Sequence, residues 1–142
     1  MEGVDYVNTF IAVADDCPVT RGTPPPLKPD TPSVAARTYQ MIADHPYGFT
    51  AGDVIFTVFA DRRGIPRGER AQARAEFYAK GQPCLRASDL GKRYGWGVHA
   101  DADGRVALYG MQTAEYAELA TGRWRGAEIA TTKAMRRARR SR

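Results

Sequence analysis

The side chains best suited to chemistry lie close together in the second half of the chain, in Gln82-Pro83-Cys84-Leu85-Arg86-Ala87-Ser88 and Lys92-Arg93-Tyr94-Gly95-Trp96-Gly97-Val98-His99. A thiolate is a nucleophile and a redox centre, and a nearby imidazole lowers the pKa of the thiol that forms it. A guanidinium grips carboxylate or phosphate with a planar fork of donors. Two functions suit these residue types. The leading one is a small-ligand binding protein that holds an anionic group through Arg86, Ser88, Lys92, Arg93 and Tyr109. The alternative is a cysteine-dependent enzyme in which Cys84 is the catalytic thiol and His99 its activating partner. No Gly-x-Gly-x-x-Gly, Walker loop, Gly-x-Ser-x-Gly elbow or His-Glu-x-x-His helix is present, and no two Cys or His residues have close ligand spacing. Neither a cofactor nor a metal is expected.

Those side chains meet only if particular strands hold them. Asp101-Ala102-Asp103-Gly104 separates two alternating runs, which predicts a type I turn with Gly104 in the left-handed conformation. Asp101 then pairs with Arg105 and Val98 with Leu108. One face reads Trp96, Val98, Val106, Leu108 and the other Gly97, His99, Arg105, Ala107, Tyr109. Residues 84–88 are expected to form a further strand beside residues 96–100, with Cys84 opposite His99 and Arg86 opposite Gly97. Cys84, Arg86, Ser88, His99 and Tyr109 would share one face.

Elsewhere, residues 6–14 are aromatic and β-branched and stop at Asp15-Asp16-Cys17-Pro18, the pattern of a strand. Five prolines in residues 23–32 dictate an extended arm, expected to lie against the body with Leu27 covering a groove. Ser33 caps a helix whose Val34, Met41 and Ile42 share a face and which ends at His45-Pro46-Tyr47-Gly48. Thr50 and Asp53 have capping-box spacing ahead of Val54, Ile55, Val58 and Phe59, and Arg62-Arg63-Gly64 closes that helix. A third helix is expected over residues 67–80 and another near 113–119. The fold class is α+β, a single domain with a small antiparallel sheet of three to four strands and three to four helices.

At 142 residues, with 43% of them apolar and 26% charged, the chain suits one domain with a real core. No run approaches the roughly 18 apolar residues of a membrane span, and the first residues lack a secretory pattern. A soluble, cytoplasmic protein with reduced Cys17 and Cys84 is expected. The net charge of +5 is uneven. Residues 131–142 hold Lys133, Arg136, Arg137, Arg139, Arg140 and Arg142 and no acid, which leaves residues 1–130 near neutrality. They read as a basic tail, a solvated end or one folded back on acidic surface, on a body that folds without it. Weak contact with nucleic acid or a protein partner is the function such a tail offers, because no base-stacking aromatics accompany its cations.

Asn8-Thr9-Phe10-Ile11-Ala12-Val13-Ala14 with Asp16-Cys17-Pro18, the two runs from Gln82 and Lys92, and Lys133-Ala134-Met135-Arg136 together resemble a family of small bacterial proteins classed only as a domain of unknown function. The likeness spans nearly the whole chain. Asp89 departs from it, standing where that pattern leads one to expect proline. The resemblance implies a bacterial, intracellular, single-domain protein, and brings no activity, cofactor or catalytic residue.

Overall fold

Side-chain caps set every α-helix start but that of α3. Ser33 accepts the N–H of Ala36 and opens α1 (Val34–Asp44). Thr50 and Asp53 exchange side-chain and backbone bonds in a full capping box at the start of α2 (Ala51–Arg63), which Gly64 closes at a φ of 64°. A 3-10 turn over Arg67–Glu69 leads into α3 (Arg70–Ala79), Ser88 caps the single turn α4 (Asp89–Lys92), and Thr113 caps α5 (Ala114–Ala120). This computed structural model describes residues 1–28, 30 and 32–138.

One sheet carries the helices. Its strands are β1 (Thr9–Ala12), β2 (Trp96–Ala100), β3 (Val106–Gly110) and β6 (Ala130–Lys133), in the order β3-β2-β1-β6. A separate small hairpin joins β4 (Arg123–Trp124) to β5 (Ala127–Glu128). The β2–β3 hairpin has the expected register, with Val98 opposite Leu108, Asp101 donating its N–H to the Arg105 carbonyl, and Gly104 at a φ of 78°. The fold class is α+β as the sequence indicates, but the sheet is mixed, because β6 runs parallel to β1.

Two expected elements are corrected. Residues 84–88 form no strand, and β1 takes the place beside β2, with Phe10 opposite His99 and Ile11 opposite Val98. Local bonds decide this. The carbonyls of Cys84 and Leu85 accept the N–H groups of Ala87 and Ser88 in a 3-10 turn over Leu85–Ala87, and the Ser88 hydroxyl then caps α4 by accepting from Leu90.

The second correction concerns the basic tail. Three of the four residues of β6 lie within the segment expected to be a tail. That segment is neither a solvated end nor merely folded back on acidic surface but a strand of the sheet, with its continuation held by Asp15 and Asp16. Ala134 is 5% exposed within the core, the Met135 N–H donates to the Arg86 carbonyl, and Asp16 accepts the N–H groups of Arg137 and Ala138. Lys133 bonds Asp15 at 2.7 Å. Arg139, Arg140 and Arg142 lie outside the described residues.

Strand alternation splits the interior into two layers. Ile11, Val98, Ala100 and Val106 face Ile42 of α1, Val54 and Val58 of α2, and Leu85. Phe10, fully buried, faces the other way and meets the edge of Tyr116 on α5 at 5.1 Å. The proline arm docks near its ends. The Trp96 indole donates to the Thr23 carbonyl, Pro25 is buried, and Arg62 donates to the carbonyl of Pro32. Leu27, expected to cover a groove, is 63% exposed, while Pro29 and Thr31 lie outside the described residues.

Arg74 of α3 grips the N-terminal segment, bonding Glu2 at 2.7 Å and Asp53 at 3.0 Å. The Arg74 bond holds the Glu2 carboxyl below its ordinary range. Burial alone would raise Asp53, but the Thr50 N–H and Arg74 outweigh it and pull it down as well. Depressed carboxylates stabilise the fold above their unfolded values and lose that contribution as pH falls through their folded ones. We therefore expect Arg74→Ala to cost about 1 kcal/mol at neutral pH, after allowing for solvent screening, and less near pH 3. Urea unfolding at the two pH values checks this, and an equal cost at both would refute the carboxylate linkage.

Candidate functional site

Cys84 and His99, expected in contact, lie on opposite sides of the sheet. Cys84 follows Pro83 into a groove on the α1–α2 side, and its Sγ lies 3.4 Å from the Tyr6 hydroxyl. That bond, then burial, raises the Tyr6 pKa. The thiol's hydrogen-bond partner is thus a phenol and not a base. His99 projects from the Phe10 face instead, where it is 3% exposed.

The expected anion-binding residues scatter too. Arg86 donates from Nε to the Lys133 carbonyl at 2.7 Å and so blocks an outward-facing carbonyl of the edge strand β6. It bonds backbone, where a carboxylate or a ligand was expected. Arg93 pairs with Asp89 one helical turn away at 3.4 Å. Lys92 closes α4 and is half-buried. Tyr109 lies with His99 on the far face. Among the expected site residues, only Cys84 and Ser88 share one cavity.

That cavity is the groove, of about 620 Å³, between α1, α2, the end of α3 and the 82–89 segment. Val58, Leu85, Ala35 and Thr38 are its buried floor. Val34, Ile55, Phe59 and Phe77 are its walls, the two phenylalanines packed ring to ring at 4.5 Å. The capping box and Gly64 stop fix where α2 ends, and this sets Arg62 and Arg63 on the rim. Arg63 lies over the Phe59 ring at 5.0 Å. Neither rim arginine has a carboxylate partner among the described residues, since the adjacent Asp61 is taken by Arg70 and Arg37. Asp89, also at the groove, is offset by Arg93. The groove therefore couples an apolar trough to a cationic rim. Cations at a helix C-terminus also complement its dipole, which is why Arg62-Arg63-Gly64 reads first as a helix stop.

A second cluster centres on His99. Tyr47, in the α1–α2 loop at a φ of 57°, places its hydroxyl 2.8 Å from His99 Nδ1 and 2.8 Å from the Tyr109 hydroxyl. Trp124 of β4 covers both, its ring 5.6 Å from His99 and 5.4 Å from Tyr109. Burial is the main cause holding His99 below its usual value, and burial followed by the Tyr109 bond raises Tyr47. Tyr47 and Trp124 were not foreseen, because a loop tyrosine and a two-residue strand leave no periodic signal. No group of three or more His, Cys, Asp and Glu side chains able to hold a metal occurs among the described residues.

The model of a family described as a family of unknown function, DUF6157, matches residues 1–140. The chain belongs to that family. No curated protein and no solved structure matches it.

Proposed function

We propose that this DUF6157 member is a small-ligand binding protein whose α1–α2 groove takes an amphipathic anion, its apolar body in the trough and its charge at the rim. The observation that carries this is the cavity of about 620 Å³ whose Phe59 and Phe77 walls end at Arg62 and Arg63. The volume is that of a typical small-molecule site, and apolar lining with a few placed polar groups is the usual recipe for one. Ser88 and Gln82 add hydroxyl and amide groups at the side. Cys84 lines the groove and serves this reading as a reporter, its hydrogen-bond partner among the described residues being the Tyr6 phenol and not the base a thiol enzyme needs.

Bacterial origin and a cytoplasmic location belong to the same proposal, supported by the motif resemblance and the two free cysteines. No described helix is long and apolar enough to cross a membrane. The basic C-terminal segment spends Lys133 on Asp15 and backbone N–H groups on Asp16, so it supports no more than weak, salt-dependent contact with nucleic acid or a partner.

Alkylation of Cys84 in a Cys17→Ser chain tests the groove. Medium-chain alkyl carboxylates and aryl carboxylates should slow it, while the neutral alcohols with the same apolar body should bind about tenfold more weakly, as loss of roughly 1.4 kcal/mol of charge interaction implies. Arg62→Ala with Arg63→Ala should erase the difference. Equal protection by acids and alcohols, or none by either, would sink the proposal.

A further inference from the structure

We propose that the β4–β5 hairpin is an acid-released clamp over the second sheet face, with protonation of His99 as the release. The argument is one of hydrogens. Two bonds join Tyr109, Tyr47 and His99 Nδ1, and a neutral imidazole lets that chain run in either direction. An imidazolium carries N–H on both nitrogens. Its Nδ1–H has the Tyr47 oxygen, and Tyr47 must then donate to Tyr109. Its Nε2–H has no protein acceptor among the described residues and reaches only the little solvent left to a ring 3% exposed. The Trp124 ring offers the cation some attraction. That falls short of the cost of placing a charge on a ring so nearly closed to water.

The surroundings set the direction of the response. Asp101, on the β2–β3 turn, favours the cation, though its Oδ1 already accepts the N–H groups of Asp103 and Arg105. Arg125, at the hairpin tip, opposes it. Neighbouring strands present only Phe10 and Ala107 directly opposite, and the remaining titratable groups facing the ring are the Tyr47 and Tyr109 hydroxyls. Burial dominates and keeps His99 neutral at an ordinary pH. A group with a depressed folded-state histidine pKa stabilises the closed form fully above the unfolded value near 6.5, and that contribution falls as pH drops below it.

The hairpin is the part able to yield. It has two residues per strand, far below what an isolated hairpin needs, and its turn holds Arg125 at a φ of 49° and Gly126 at 84°. Its tether at one end is Ile129 N–H to the Gly122 carbonyl, beside Gly122 at a φ of 85°, and its tip is pinned by Arg125 N–H to Glu118. Release would uncover Tyr47, Tyr109 and Trp124 as an aromatic surface without disturbing β1 to β3.

The test follows the two indole N–H signals of the full chain by NMR between about pH 8 and pH 5, the window in which histidine titrates, with Trp96→Phe to assign them. The Trp124 signal should shift and gain solvent exchange with one midpoint below about 6.5, matching the midpoint of the His99 ring protons. His99→Gln should abolish that shift, and His45→Gln should leave it intact. A Trp124 signal that stays fixed while His99 titrates overturns the clamp, as does a shift that persists in His99→Gln. The matched midpoints in the unsubstituted chain decide the matter if His99→Gln does not fold.

Discussion

Removing residues 131–142 should leave a chain that no longer folds at 25 °C. The truncation takes three of the four residues of β6, with its bonds to β1, and removes Ala134 from the core cluster. It removes the Lys133 and Arg136 partners of Asp15 and the N–H groups bound by Asp16, and strips Arg86 of the carbonyl it binds. Strand β1 then becomes an unprotected edge beside a cavity. A loss of at least about 4 kcal/mol is expected, against a typical total of about 5–15 kcal/mol. Far-UV circular dichroism and amide-proton dispersion would report it. The matched control keeps the strand and removes the charge, with Lys133→Gln, Arg136→Gln and Arg137→Gln together. Its unfolding midpoint should stay close to that of the parent, because the bonds of β6 to β1 and of Arg137 to Asp16 are made by backbone. A truncated chain with native dispersion would show that the strand is dispensable.

Gly97→Val should be nearly as damaging, for the opposite reason. A Cβ at Gly97 would collide with the Phe10 ring and lie 2.8 Å from Cε2 of Tyr116, closer than real Cβ contacts come. Phe10 has no solvent exposure, and the edge-on pair it makes with Tyr116 fixes both rings. Overpacking of this kind costs about 3 kcal/mol. That is a shift of about 1 M or more in urea midpoint for a small domain. Gly81→Ala, where an added Cβ meets nothing, should stay within about 0.5 kcal/mol of the parent. Phe10→Leu in the Gly97→Ala background should recover part of the loss, as expected for residues in direct contact. Matching midpoints for Gly97→Val and Gly81→Ala would mean that the second layer is looser than its geometry indicates.

The parts legible from sequence are those decided within a few residues. Ser33, Thr50 with Asp53, and Gly64 announce helix ends whatever the tertiary structure, and the Asp101 to Gly104 turn sets the β2–β3 register. What failed was pairing between distant segments. Val-Asn-Thr-Phe-Ile-Ala states that it is a strand but not that its neighbours are β2 and β6. Ala-Thr-Thr-Lys is short, polar and followed by arginines, so charge masked a strand that main-chain bonds hold. Cys84 to Ser88 alternates like a strand, although Ser88-Asp89 is a helix start. The site misplacement follows from that one error. With β1 between β2 and the C-terminal strand, Cys84 and His99 separate to opposite faces, and the cavity belongs to Arg62 and Arg63, which looked like punctuation.

The parallel pairing of β1 with β6 also orders events in time. Bonds from the C-terminal segment to Asp15 and Asp16 cross 118 to 122 residues of chain. During synthesis β1 emerges early, and its outer edge stays unpaired until nearly everything else in the sheet has been made. Long-range parallel closure of this sort is slow, and an open strand edge invites association with other chains while it waits. The helices can form early on their own caps, so the nascent molecule should accumulate with its helical layer in place and its sheet incomplete. Folding yield in the cell would then depend on the rate at which one four-residue strand arrives, and on whatever shields β1 until it does.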